Sequence, residues 1–300
     1  MRRFYIAVIL FMLPIFVFMG GAEYAVRQIP SFYKYKNEWM NKNADKVETL
    51  IFGSSHGMNG IIPSDIDGLA FNLGLMSQSL KYDAFLLLKW GDRYKKLKTI
   101  IVPISYFTFF FDEPFGSPQV PCYYKNYMDC PYHSGLNKYS LEMLYFKQMH
   151  GKYVTVRNNG WKVLCDELGW LGSDQKAPNW DDPIHAKKTV QLHSGTTDFV
   201  SSNYDYLREM ALFCKTHQVK MILVSTPMWK IYNRLLDPNR VEIIRLQINK
   251  IQKEFGLEYY NYREDSRFTE DDFSDIQHLS ASGAEKFTKI LMSDIKAEGN

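Results

Sequence analysis

Apolar residues along this chain fall into two kinds of pattern. Short continuous runs at Thr49–Phe52, Ala70–Leu73, Thr99–Ile104, Lys220–Ser225 and Leu257–Asn261 predict strands. Most of these runs are apolar throughout instead of alternating, as parallel strands covered on both faces require. Between them, apolar residues recur at helical spacing. Leu207, Met210, Ala211 and Cys214 make one stripe, and Val241, Ile244, Ile248, Ile251 and Phe255 another. Phe287, Ile290, Leu291 and Ile295 predict a final helix. Strands alternating with helices predict an α/β fold, a three-layer αβα sandwich around a mainly parallel sheet. Such sheets bind ligands beyond the carboxyl ends of their strands.

Two stretches depart from this alternation. Phe4 to Ala22 carries no charge and follows Arg2 and Arg3. As a helix it is about 28 Å long, enough for a bilayer core. It reads as a transmembrane anchor, with Arg2 and Arg3 keeping the N-terminus cytoplasmic and the body outside. A signal peptide cleaved near Gly20-Gly21-Ala22 also fits, and places the body outside the cytoplasm as well. A buried soluble helix is the third reading, and Pro14 counts against it. No lipobox cysteine is present. The chain thus divides into an anchor or signal segment (1–25), a polar, aromatic stalk broken by Pro30 (26–47) and an α/β domain (48–300).

The second departure is an aromatic-rich insertion at about 107–200. It opens with ten aromatics from Tyr106 to Tyr132, continues in a helix near Leu136–Met149, and ends in a Gly/Asn/Trp-rich stretch. Plain packing, a cap on the sheet edge and a stacking platform for sugars are all open to it.

With 46% hydrophobic and 23% charged residues, the 300-residue chain can build a sizeable core. A net charge of +3, without a Lys/Arg block, argues against nucleic-acid binding. Outside the cytoplasm, the four cysteines can form disulfides. Cys122 and Cys130 flank a short segment holding Tyr123, Tyr124 and Tyr127 and are the expected pair, while Cys214 falls on a helix core position. No C-x-x-C or Cys/His ligand spacing exists, so structural zinc is not expected and no metal ligand is assigned.

The chemistry is concentrated in two distant segments. Gly53-Ser54-Ser55-His56 closes the first strand, and Asp275-Ile276-Gln277-His278 precedes the last helix. A glycine before a tight strand-to-helix turn lifts the next side chains into the cleft and aims backbone N–H groups at a developing oxyanion. Ser55 is the candidate nucleophile. Spacing alone leaves Ser54 open beside it, and either serine could be a helix N-cap. Three residues of turn can set Asp275 behind His278, with the imidazole as base and the carboxylate as its orienter. A second Asp-x-x-His at Asp182–His185 lacks a strand before it and a capped helix after it, whereas Ser280 can cap the helix after His278. Gly53–Gly57 also matches the G-x-S-x-G elbow of α/β-hydrolases. Against that fold, the serine follows the first strand, so no upstream strand-helix loop can supply an oxyanion donor, and the Asp and His are three residues apart.

These motifs resemble the SGNH (GDSL-like) hydrolases, whose block I carries the nucleophile and whose block V is Asp-x-x-His. The resemblance spans about residues 49–294 and implies a flavodoxin-like five-stranded sheet with Ser55, Asp275 and His278 as a triad. It departs in three places. Ser54 stands where block I has Asp. Phe71-Asn72-Leu73-Gly74-Leu75-Met76-Ser77 resembles block II, with Ser77 where the family has its oxyanion glycine and Gly74 nearby. The block III Asn is missing, and Ser105 or Tyr106 stands there instead. His56 can line the cleft or lie at a helix surface, and Pro227-Met228-Trp229 can form a cleft wall. His133, His150, His193 and His217 receive no role. Anchored SGNH-like proteins, including those assisting D-alanine transfer onto teichoic acids, work beside multi-span O-acyltransferases. The resemblance therefore implies an O-acyl esterase or acyltransferase on an acylated cell-surface glycan or polymer, without a cofactor. It leaves open a non-catalytic partner subunit of an O-acyltransferase complex.

Overall fold

The structure, a computed structural model, describes residues 1–111, 119–131, 141–178, 180–194 and 198–298. Two compact units are present. One comprises Met1–Asn37 and Gly116–Leu164; the other comprises Glu38–Phe115 and Cys165–Asn300.

The larger unit carries the sheet. Its strands are β1 (Thr49–Ile51), β2 (Ala70–Asn72), β3 (Thr99–Pro103), β4 (Lys220–Ser225) and β5 (Glu258–Asn261). They lie in the order β2-β1-β3-β4-β5, every pairing parallel. All five predicted strands are present, each within two residues of its predicted ends. Successive side chains alternate between the two faces. Ile51, Ile101 and Ile222 join Phe287 and Leu291 in one buried cluster. Leu50, Ile100 and Leu223, also fully buried, belong to the opposite face, where a helix of the 201–216 segment packs on β4.

The helices in chain order are α1 (Arg2–Gln28), α2 (Phe32–Asn43), α3 (Ser55–Gly60), α4 (Leu80–Lys89), α5 (Val120–Met128), α6 (Phe146–Asn159), α7 (Pro183–Ser194), α8 (Ser201–Thr216), α9 (Lys230–Arg234), α10 (Pro238–Phe255) and α11 (Ala281–Glu298). Of the predicted stripes, Leu207, Met210, Ala211 and Cys214 on α8, Ile244, Ile248 and Ile251 on α10, and Phe287 and Leu291 on α11 are buried, while Val241, Phe255, Ile290 and Ile295 are half-buried. Asp237 caps α10 by accepting the Asn239 N–H (2.9 Å), with Pro238 at the first helical position and Gly256 closing its end.

Several expectations are revised. The 26–47 stretch read as a stalk is helical over most of its length, in α2. Met40, Ala44 and Val47 are fully buried at spacings of four and three residues, and Trp39 stacks on Phe71 (3.8 Å between centroids). Of the stretch read as an insertion, residues 107–115 and 165–200 fall in the larger unit. There the Asn72 N–H donates to the Leu168 carbonyl (2.9 Å) and the Leu171 N–H to the Met58 carbonyl (3.2 Å). This covers the free edge of β2, a common protection for edge strands. The helix expected near 136–149 starts at Phe146; residues 136–140 and His133 lie outside the described residues. No disulfide joins Cys122 to Cys130, which are both buried thiols. Cys122 sits in the first turn of α5 and Cys130 beyond its left-handed C-cap at Asp129. The left-handed turn carries the chain back, and the Cys130 N–H donates to the Tyr124 carbonyl (3.2 Å).

In the smaller unit, α1 is long and apolar enough to cross a membrane, and its apolar side chains are exposed from Phe4 to Phe18. Tyr33 packs edge-on against Tyr124 (5.1 Å) of α5.

Candidate active site

At the end of β1 the backbone turns sharply. Gly53 adopts φ +93°, which a side chain would resist. Its N–H donates to Asp83 Oδ1 (2.9 Å). Ser54 then caps α3, its Oγ accepting the His56 N–H at 3.4 Å. Gly57 allows the close return of this turn: a Cβ there would lie 2.1 Å from the Phe52 carbonyl oxygen. Ser55 is the first residue of α3. Its Oγ lies 2.8 Å from His278 Nε2.

The second half of the site is one self-contained loop. His278 Nδ1 is 2.7 Å from Asp275 Oδ2, while Asp275 Oδ1 accepts the N–H groups of Gln277 (2.8 Å) and His278 (2.9 Å). Burial raises the Asp275 pKa, but the His278 hydrogen bond and charge, with the two backbone N–H groups, outweigh it and hold the carboxyl below its ordinary range. An isolated bridge between Phe273 and Leu279 closes the loop. Ser280 Oγ then accepts the Gly283 N–H (3.1 Å), the cap the sequence predicts for α11. With Nδ1–H donating to the carboxylate, Nε2 accepts the Ser55 hydroxyl proton, the tautomer a general base needs.

The other predicted residues divide. Ser77 has φ +56°, in the left-handed region that favours the glycine of block II. It lines a narrow crevice with Gly53, Ser54, Pro103 and Phe107. Gly74 is not a spare donor, because its N–H donates to Asn72 Oδ1 (2.9 Å). A Cβ on Gly74 would meet the Met58 nitrogen at 2.9 Å, so this glycine serves close packing. The Ser105 hydroxyl is committed to His56 Nδ1 (2.6 Å). The Tyr106 hydroxyl lies 3.3 Å from Ser194 Oγ and accepts the Asp237 N–H (3.1 Å), a packing role between helices. His56 is buried and not at a helix surface, its ring 5.4 Å from that of His278. Burial first, then the neighbouring His278 and His193, holds its pKa well below the imidazole range.

The second Asp-x-x-His is no site: Asp182 accepts the His185 N–H at the start of α7, and His185 is exposed. Trp229 faces a cavity whose lining does not include Ser55, Asp275 or His278. It lines this cavity of about 650 Å³ with Met228, Phe268 and Phe273, and its N–H donates to the Ile276 carbonyl (3.0 Å) within the Asp275–His278 loop.

Sequence reasoning missed three residues. Asp83 is a buried carboxylate holding Gly53. Asn72, fully buried, donates to the carbonyls of Gly57 (2.9 Å) and Ile61 (3.0 Å) and so ties α3 to β2. His193, bonded to the Tyr232 hydroxyl (2.8 Å), lies 4.9 Å from Phe107, and burial lowers its pKa to about 4. For Asp83 a signal existed: it falls on the buried stripe of α4 with Leu80, Ala84 and Leu87.

No protein-family model and no curated protein matches the chain. Among solved structures it is similar to a GDSL-like lipase from Bacteroides thetaiotaomicron VPI-5482, with 11% identity, 90% of this chain and 100% of that one covered, and a TM-score of 0.42. A protein described as a platelet activating factor from Streptococcus pneumonia has 12% identity, 96% and 98% coverage, and a TM-score of 0.41. A carbohydrate acetylesterase family member from Sinorhizobium meliloti has 10% identity, 84% and 98% coverage, and a TM-score of 0.32. The chain has a parallel sheet ordered β2-β1-β3-β4-β5, with a serine after β1 hydrogen-bonded to an Asp-x-x-His before the last helix. That sheet order and that placing of the serine and the Asp-x-x-His are what the motifs lead one to expect.

Proposed function

We propose that this chain is a serine-dependent O-acyl esterase or O-acyltransferase, anchored by α1 with its site outside the cytoplasmic membrane. The observation carrying the reading is the unbroken relay from Ser55 Oγ through His278 to Asp275, at 2.8 and 2.7 Å. Ser55 attacks the acyl carbonyl as His278 Nε2 takes its proton. Asp275 stabilises the imidazolium. The N–H groups of Ser55 and Ser77, which donate to no other backbone carbonyl among the described residues, hold the oxyanion. Collapse expels the alcohol, which regains the proton from His278, and leaves an ester on Ser55. Water or a second hydroxyl then takes the acyl group by the reverse sequence. A cell-surface glycan or related polymer is the acceptor class that suits an anchored enzyme facing outward, and a multi-span O-acyltransferase is the partner class that would supply the acyl group.

Fluorophosphonate labelling and aryl acetate hydrolysis test the reading. Wild-type protein is expected to be labelled and to turn over ester, and Ser55→Ala to do neither. Equal labelling of Ser55→Ala would reject Ser55 as nucleophile.

A further inference from the structure

We propose that α6 and the turn before it form a face that lies on the anionic lipid headgroups of the bilayer α1 enters. The inference stands on the anchoring read above and goes beyond it, since a single span needs no second membrane contact.

The link begins where α1 turns polar. Glu23, directly after the apolar run, is buried, and its carboxylate accepts the N–H groups of Glu142 (3.1 Å) and Met143 (3.0 Å) as well as Arg27 Nε (2.6 Å). Those two N–H groups open the 3-10 turn Glu142–Leu144, so Glu23 caps it across 119 residues of sequence. The turn is thereby fixed at the level where α1 leaves the hydrocarbon, and α6 starts two residues beyond it.

The outward face of α6 has interfacial chemistry. Phe146, His150, Tyr153 and Arg157 recur at helical spacing and are all exposed, with Trp161 exposed just past the helix end. Phe146 is 70%, Tyr153 59% and Trp161 65% exposed, which is high for aromatic rings in an aqueous fold. From Met143 to Cys165 there is no Asp or Glu, but Lys147, Lys152, Arg157 and Lys162 are present. Lys152 turns inward to Glu142, which leaves three cations on the outside. A solvated helix ordinarily mixes both signs. Aromatic rings and cations without acids, held beside a membrane exit, match the aromatic belt and the anionic headgroup layer.

The test uses the full chain in vesicles of phosphatidylcholine, with or without phosphatidylglycerol, carrying acyl chains brominated near the glycerol end. The signal from Trp161 is wild-type fluorescence minus that of Trp161→Phe. We expect Trp161 to be quenched, and more strongly with phosphatidylglycerol. Reversing Lys147, Arg157 and Lys162 to Glu should abolish that increment, with vesicle flotation and fluorophosphonate labelling retained. Unquenched Trp161 in protein that still floats would overturn the docking face while leaving the anchor intact. Protection of Trp161 only when a membrane-protein partner is added would overturn it in favour of a protein interface. Failure to float would refute the anchor on which the proposal stands.

Discussion

Asp83 makes the pH dependence of this fold calculable. It is fully buried, and its Oδ1 accepts both the Gly53 N–H (2.9 Å) and Gln78 Nε2 (2.6 Å). Burial raises its pKa from 3.8 to about 7, against the opposing pull of those two bonds. Between these values the native state holds a proton that the unfolded chain has released. Stability from this group is therefore full below pH 3.8 and lost as pH rises through about 7. At about 1.4 kcal/mol per pKa unit, the loss is about 4 kcal/mol. Asp83→Asn keeps an oxygen for Gly53 and Gln78 but cannot ionise. Urea unfolding of both proteins in detergent, followed by tryptophan fluorescence at stepped pH, isolates the effect as a difference. Other titrating groups, such as His56 and His193, are common to both proteins and cancel. The gap in unfolding free energy should move by about 4 kcal/mol toward the Asn variant between about pH 4 and pH 8. Ester turnover should survive, because Gly53 remains held. A gap that stays flat across that range would refute the argument that burial sets this carboxyl.

Asp275→Asn should leave KM near wild type and lower kcat by about 10⁴, because its amide would face the Nδ1–H and favour the wrong imidazole tautomer; a loss under tenfold would reject the relay. Ser77→Ala should keep turnover within about twofold, since the proposed donor is the backbone N–H and not the hydroxyl; a hundredfold loss would assign the work to the side chain. Asn72→Ala removes two good buried hydrogen bonds to α3 and strands the Gly74 N–H, and should lower the unfolding free energy by about 2–4 kcal/mol in a urea titration; a change near zero would show that α3 is held by packing alone.

The sheet and the segments that bring Ser55, His278 and Asp275 together were legible because their signals are local. Each strand is a short apolar run closed by a turn, and the Ser and the Asp-x-x-His sit at predicted strand and helix ends, where ligands of such sheets gather. What stayed hidden depends on residues far apart in sequence. Asn72 gains its role only when β2 lies beside α3, and Ser105 meets His56 only across β3 and β1. The α2 helix is a different kind of miss. Met40, Ala44 and Val47 carry a helical period, but it is sparse within a polar, aromatic stretch that Pro30 interrupts. Cys122 and Cys130 look like partners in sequence, and their spacing gives no sign that a helix and its left-handed cap lie between them.

The departures from the SGNH pattern act together on the electrostatics of the site. Serine at position 54 removes a carboxylate next to the nucleophile, and the carboxylate that does reach this turn, Asp83, is pushed up to about 7 by burial. His56, next to the proposed nucleophile, and His193, 4.9 Å from Phe107, are both kept neutral at neutral pH by burial. Asp275 differs from all three: its hydrogen bonds outweigh its burial and keep it ionised. The imidazolium proposed to form on His278 thus meets an ionised carboxylate at 2.7 Å, with the neutral His56 ring 5.4 Å away. A charge pair in such surroundings interacts more strongly than in water, and no reorganisation of nearby ions is needed as the proton moves. Ser54, His56 and Asp83 therefore make the site more dependent on Asp275, which is why the Asp275→Asn loss should approach the full value of a triad carboxylate.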